Sequence, residues 1–501
     1  MRRRWWLVSV LFFTFLLIFG IFLFQGRERY HSYVVSQKRW NQIQKSRNER
    51  KNIVLKEIKF NDFPLLIDEE NHKMYYSQMS SFQKNNPVID FLDKDYKIVF
   101  QDKLTDSVIS SNESIPVMIY NDRYYQVYDL VVTTLPVINI DYNSSSDDKN
   151  VPMKITVFDN HPNAFHKVGT SLGDIDIIQN GGEKSDFQIS FHQKSLGRNI
   201  RQNPVSILGM QKHNNYFLNS LSSDDEKIRN LFSTNLWNHM NEDSIDNLQY
   251  VEVFINHQYY GLYSFGPSIE SDGYSYQHGD YVFFKESSSS DENISNDYRI
   301  VNRVFDRDCS QCDEDDAWAV LDEYYQDILS SDKEKLRYRI QNSNSLELYL
   351  FYLFTQASNH VDSNSFWNTS LSFLHRNHSY ELQFTPWNLN DTFGYYHSSS
   401  NNQYMMKDNP IYSLIMSGDQ ETIQEVKKQY QLLRKSSWSN QSIKKIITQY
   451  EKQLFSSGAY QRDFLKWSDS DIPDYTKEKF NSFLEYVLDR LDTMDQTINQ
   501  L

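Results

Sequence analysis

The segment Pro386-Trp387-Asn388-Leu389-Asn390-Asp391-Thr392-Phe393-Gly394 decides how the rest of the chain is read. It gathers oxygen-bearing side chains into a short turn closed by Phe-Gly, a composition suited to holding a metal ion against phosphate groups. Upstream, Asp362 lies in Asn359-His360-Val361-Asp362-Ser363-Asn364, after an apolar helix-like run, and two β-rich stretches lead from it to the turn. Phosphoryl transfer needs one carboxylate to orient or deprotonate the attacking hydroxyl, and oxygen ligands on a following turn to hold magnesium. Asp362 fits the first role; Asn388, Asn390 and Asp391 are the candidates for the second. A metal site prefers Asp to Asn, so the same turn suggests an activity and weakens it.

At the other end, Met1-Arg2-Arg3-Arg4 precedes Trp5 to Phe24, about 20 residues without a charge, long enough to span a bilayer. The three arginines place the N-terminus in the cytoplasm and the bulk of the chain outside. Residues 1–25 are therefore expected to be a retained transmembrane anchor, a cleaved signal peptide being the alternative. Residues 26–52, charged and rich in Gln, Arg and Asn, read as a juxtamembrane stalk.

The 66 acidic residues outnumber the 51 basic ones, leaving a net charge of -15 that argues against a nucleic-acid partner. Aromatic residues make up 15% of the chain, so Tyr and Phe supply much of the core. The two cysteines, Cys309 and Cys312, stand in Asp308-Cys309-Ser310-Gln311-Cys312-Asp313, too few for a disulfide framework. They read as a local disulfide or inert thiols. Zinc would need two further ligands that no nearby His supplies.

Short alternating runs between turn residues, such as Tyr96 to Phe100, Val117 to Tyr120 and Tyr124 to Tyr128, predict a small β-sandwich over residues 53–134. From residue 135, strands near Met153 to Phe158, Gly173 to Gln179 and Phe187 to Phe191 predict a mostly antiparallel lobe. The apolar spacing of Ile228, Leu231, Phe232 and Leu236 predicts a helix from Ile228 to Met240. Tyr250 to Tyr263 alternates about Asn256-His257 as a β-hairpin. Residues 287–316 read as an exposed connection. Helices are then predicted over 317–340, 346–356, 411–435, 442–455 and 477–501, so the fold class is α+β.

In order along the chain, these blocks resemble the CotH family of spore-coat-type atypical protein kinases. The blocks are Leu208-Gly209-Met210, Tyr216-Phe217-Leu218, Asp224 with Arg229-Asn230, Val251 to Asn256 with Tyr259, Gly261 and Tyr263, then Asp362, Pro386-Trp387 to Phe393-Gly394, and Asn409-Pro410. The resemblance covers residues 135–501. It implies an atypical protein-kinase-like fold, preceded here by the β-sandwich and the N-terminal transmembrane helix. It also implies ATP and Mg²⁺ as cofactors, transfer of the γ-phosphoryl group to protein Ser or Thr, and a protein or cell-envelope partner.

Carried over by position, the resemblance makes Asp362 the catalytic acid, with Asn364 or Asn368 as the Asn that follows it. Arg229 is then a phosphate or inter-lobe carboxylate partner, and Lys184 the phosphate-contacting lysine. The family turn usually reads Pro-Trp-Asp-Leu-Asp, where this chain has Asn388 and Asn390, and Pro267 stands where a Glu is usual. Two readings follow: a membrane-anchored extracytoplasmic kinase, or a catalytically weakened pseudokinase acting as a surface binding or scaffold protein. A carbohydrate-binding protein using its Tyr and Trp side chains is a third.

Overall fold

The computed structural model describes residues 28–501, except 51–52, 54, 56, 79–85, 92, 144–150, 162–166, 179–183, 194–200, 241–245, 269–280, 287–304, 310–313, 331, 358–368, 377–378, 395–408 and 469–476. The expected anchor, residues 1–25, lies outside the described residues, among which no helix is long and apolar enough to cross a membrane.

Residues 28–50, expected as stalk, pack onto the first sheet. Helix α1 (Gln37–Lys45), capped by the Ser36 hydroxyl, buries Trp40 and Ile43 against Val99, Met118 and Tyr120. Five strands of that six-stranded sheet are β1 (Leu66–Asp68), β2 (Lys73–Ser77), β3 (Lys97–Phe100), β4 (Ile115–Tyr120) and β5 (Tyr124–Thr133), in the order β1-β2-β5-β4-β3, and the sixth, Asn48–Glu49, pairs in parallel with the start of β5. A three-stranded sheet of Phe63–Pro64, Ile58–Phe60 and Ile89–Phe91 shares its apolar core. The first sheet is mixed: β2 runs parallel to β5, with Lys73 opposite Asp129. The shared core continues into Val137, Phe158 and Phe254 of the next unit.

That unit is a closed barrel. Its strands are β6 (Val137–Tyr142), β7 (Val151–Asp159), β8 (Lys167–Ile178), β9 (Asp186–Ser190), β10 (Asn215–Asn219), β11 (Gln249–Ile255) and β12 (Gln258–Pro267), arranged β6-β7-β8-β9-β10-β12-β11. Every pairing is antiparallel except the closing one, β6 with β11. Closure leaves no free edge and encloses a core that includes Ile140, Ile155, Ile189, Leu218 and Val253. The β11–β12 hairpin turns at Asn256 and His257, both at positive φ (49° and 70°), as a two-residue loop with the right twist requires.

Helix α2 (Arg229–Asn238) follows β10. Its first turn is capped from upstream: Asp224 Oδ2 accepts from the amides of both Ile228 and Arg229 at 2.7 Å. A second sheet is built from β13 (Tyr281–Glu286), β14 (Phe305–Cys309), β15 (Thr369–Arg376) and β16 (Ser379–Pro386), in the order β14-β13-β15-β16. Residues 287–316, expected as an exposed connection, thus contribute an edge strand. Its residues Phe305 to Cys309 pair with Glu286 to Val282, an interaction across the chain that local composition does not report. Cys309 lies on this strand, and Cys312 is outside the described residues.

The helical half holds α3 (Glu314–Ser330), α4 (Lys333–Gln341), α5 (Ser345–Thr355), α6 (Pro410–Met416), α7 (Gln420–Lys435), α8 (Asn440–Phe455), α9 (Ala459–Trp467) and α10 (Lys477–Gln500). Two helices expected to be continuous are broken by capping side chains. Asp332 accepts from the amides of Glu334 and Lys335 and starts α4 anew. Gly418 at φ 74° ends α6, and the Asp419 carboxylate starts α7. Helix α9 has no counterpart in the sequence reading. One core joins these helices to α2, to the second sheet, and to Leu389 and Phe393 of the Pro386–Gly394 turn.

Candidate active-site cleft

The Pro386–Gly394 turn is fixed from two sides. Its middle, Leu389–Asp391, is a single 3-10 turn entered through Asn388 in the left-handed conformation (φ 53°, ψ 53°). Asn230 Oδ1 of α2 accepts from the Leu389 amide at 3.0 Å, and Arg229 Nε donates to the Thr392 carbonyl at 3.1 Å. The Ser233 and Thr392 hydroxyls meet at 2.8 Å. On the far side the Phe393 amide donates to the Thr355 carbonyl at the end of α5, at 2.7 Å, and the Phe393 ring packs against Phe232, Phe354 and Phe483. The Arg229-Asn230 pair singled out in the sequence therefore acts on the turn itself.

Arg229 is buried and carries two carboxylates. Its Nη1 bonds both Asp224 and Glu226, and its guanidinium lies over the Phe483 ring. Burial alone would lower the guanidinium pKa, but Asp224 and Glu226 together hold it above its ordinary value. Burial also pushes the Asp224 carboxyl up, against the pull of Arg229. Every strong donor direction of Arg229 is committed inside the protein.

Between this turn, α2 and the β9, β10 and β12 side of the barrel lies a cleft of about 690 Å³. Asn388 and Asn390 line it, and they bond one another: Asn390 Nδ2 donates to Asn388 Oδ1 at 2.6 Å. Asp391 is buried and is not among the cleft-lining residues; its charge is felt by Tyr352 of α5, whose phenol pKa is raised mainly by burial. Of the three candidate metal ligands, Asn388 and Asn390 line the cleft and Asp391 does not. Among the described residues no group of three His, Cys, Asp or Glu side chains is placed to hold a metal ion.

Lys184 sits just before β9, is buried, and is not among the cleft-lining residues. Its Nζ donates to Asp463 Oδ1 of α9 at 2.6 Å and to the carbonyls of Ser220 and Leu262 at 2.7 and 2.6 Å. It also lies 4.5 Å from the centre of the Tyr263 ring. Burial lowers its pKa to about 8, with Asp463 acting in the opposite direction. Asp463 accepts the Leu262 amide as well, at 2.8 Å.

Asp362, Asn364 and Asn368 lie outside the described residues. Pro267, at the position where the resemblance implies a Glu, ends β12 and lines the cleft. Asp186 on β9 and Asp246 ahead of β11, which no motif in the sequence singles out, also line the cleft. Asp186 accepts the Ser220 amide, while Asp246 accepts the Gln211 amide at 2.7 Å and pairs with His213 at 2.8 Å. Nothing local marks an isolated Asp as a cleft residue; only the barrel's closure brings these two together.

A family model for the CotH kinase protein matches residues 180–494, which takes in the cleft, the turn and most of the helical half. A comparison with curated proteins gives no match.

Proposed function

Because the chain belongs to the CotH kinase family, we propose that it keeps a kinase-type cleft as a binding site and has lost metal-dependent phosphoryl transfer. The barrel and the helical half serve as the two lobes, with the Pro386–Gly394 turn at their junction. One observation carries the reading: the 2.6 Å bond between the Asn390 and Asn388 side chains. Two aspartates at these positions would repel one another and draw in a divalent cation. Two amides instead share a hydrogen bond, and neither brings the charge that holds magnesium against phosphate.

The remaining site residues agree with this. Asp391 is buried and does not line the cleft, Lys184 is committed to Asp463, and Arg229 to Asp224 and Glu226. The described residues do not fit a magnesium–ATP complex. The protein is then a surface binding or scaffold member of the family, held at the membrane by residues 1–25 with its bulk extracytoplasmic.

The competing reading is an active Ser/Thr kinase in which Asp362 orients the acceptor hydroxyl. The test is a thermal-shift titration with ATP and Mg²⁺ or Mn²⁺, run beside a label-transfer assay with γ-labelled ATP. The expected result is no metal-dependent stabilisation by ATP and no transfer. Metal-dependent stabilisation with transfer that disappears in Asp362→Asn would establish the active reading instead.

A further inference from the structure

We propose that the cleft takes an organic cation, an alkylammonium or guanidinium group, rather than an anionic nucleotide. This names the ligand class of the binding site proposed above and rests on that reading. The charged side chains among the described lining residues are Asp186 and Asp246; no Lys or Arg is among them. A triphosphate placed here would face two carboxylates and no Lys or Arg side chain on the cleft wall, the nearby Lys184 and His213 being engaged by Asp463 and Asp246. An ammonium or guanidinium group finds the reverse.

The unsatisfied polar atoms on the cleft wall point independently to a ligand. Ser264 of β12 is 1% exposed, lines the cleft, and its Oγ has no hydrogen-bond partner. Asn390 Oδ1 is likewise a buried acceptor without a partner, since the Asn390 amide nitrogen serves Asn388. Buried polar atoms are normally satisfied, and an orphaned acceptor in a cleft that is also lined by two carboxylates calls for N–H donors. Lys, Arg and polyamine nitrogens supply several such donors together with the charge. Phe217 and Trp387 also line the cleft and bring aromatic side chains to it, which suits a cation more than a phosphate.

At about 690 Å³ the cleft holds more than one side chain, so a short basic peptide and a free polyamine offer the same chemistry at the right size.

The experiment is calorimetric titration of the whole chain at low and moderate salt, without nucleotide or divalent metal. The probes are tetra-arginine, spermidine and, as the opposite case, metal-free ATP. Both cationic probes, or one of them, should bind with saturation, and ATP should not. Binding by tetra-arginine alone identifies a basic peptide as the source, and binding by spermidine alone a polyamine.

Asp186→Asn with Asp246→Asn keeps acceptors for the Ser220 and Gln211 amides, and should weaken binding by about tenfold or more. The exposed Asp122→Asn should leave it unchanged. Should the double variant fail to fold, Thr234→Lys places an ammonium in the cleft from α2 and should abolish binding by occupying the carboxylates. No binding by either cationic probe overturns the proposal, as does equal binding by wild type and Thr234→Lys, which would mean attraction to the acidic surface only. Neither result depends on phosphoryl transfer, so this inference and the loss of kinase chemistry fail separately.

Discussion

Asn390 Nδ2 donates to Asn388 Oδ1 at 2.6 Å across the tip of the turn that lies at the junction of the two halves of the molecule. This amide pair stands at the two positions where the resemblance implies aspartates, and it brings no formal charge to the turn. The wild-type melting temperature is therefore expected to be the same in Mg²⁺ and in EDTA. Asn388→Asp with Asn390→Asp should lower stability in EDTA by roughly 1 kcal/mol, a like-charge penalty discounted for the exposure of Asn388. Millimolar Mg²⁺ should restore it by binding the folded state. A double variant insensitive to Mg²⁺ would mean that the turn cannot take a metal even with carboxylates.

Arg229 joins α2 to the same turn and neutralises Asp224, which is fully buried. Removing the guanidinium leaves a buried carboxylate without its partner, so Arg229→Met is expected to lose about 3–5 kcal/mol in urea denaturation. Arg229→Lys should recover only part of that. A single ammonium cannot reach Asp224, Glu226 and the Thr392 carbonyl with the fork that Arg uses. A loss under about 1 kcal/mol for Arg229→Met would show that the network is not what holds the turn.

These two sites differ in how far the sequence revealed them. The Arg229-Asn230 pair and the Pro386–Gly394 turn were visible as blocks, and the β11–β12 hairpin was visible because alternation and an Asn-His turn are local signals. The amide bond was not, since hydrogen bonding between neighbours depends on the left-handed backbone at Asn388. Helix breaks at Asp332 and Asp419 carried a signal that the apolar spacing obscured: in each case an Asp supplies the cap. The parallel pairing of β2 with β5 and the edge strand β14 rest on contacts between distant segments. The same holds for α9, whose Asp463 meets Lys184 across 279 residues.

Helix α9 is tied to the barrel by a second buried pair. Arg462 Nε and Nη2 bond the two carboxylate oxygens of Glu252 on β11, each at 2.8 Å, while Nη1 reaches Asn112 of the N-terminal unit at 3.0 Å. Arg462→Met is expected to lose about 3–5 kcal/mol by stranding Glu252. Combining it with Glu252→Met should lose less than the sum of the two single variants, since the pair is removed together. Additive losses in a double-mutant cycle would deny the coupling.

Gly261 marks where α9 makes its closest approach. Its φ is 146°, and a Cβ there would meet Asp463 Oδ1 at 2.6 Å, Lys184 Cε at 2.9 Å and Trp467 Nε1 at 3.0 Å. Gly261→Ala therefore combines backbone strain with displacement of the Lys184–Asp463 pair, and about 2–4 kcal/mol should be lost. The tryptophan provides a local reading. Trp467 Nε1 donates to the Tyr260 carbonyl at 2.7 Å, so its fluorescence should report undocking of α9 before global unfolding. Unchanged stability in Gly261→Ala would mean that β12 and α9 can separate at no cost.

Lys184 gives the docking of α9 a pH dependence whose sign is fixed by its environment. Its folded pKa is lowered to about 8 by burial, with Asp463 opposing, from an ordinary value of 10.5. Below about pH 8 both folded and unfolded chains hold the proton, and Lys184 contributes no slope. Between about pH 8 and 10.5 the unfolded chain holds a proton that the folded chain has released, so this lysine makes stability rise with pH across that window. The rise is on the order of 3 kcal/mol at most. It should appear as the difference between wild type and Lys184→Met in denaturation curves at about pH 7.5 and about pH 10, which cancels the titration of other groups. Asp463→Asn removes the opposing charge and should move the onset of the rise to lower pH. Parallel pH profiles for wild type and Lys184→Met would place the titration of Lys184 outside the window and remove burial as the controlling influence.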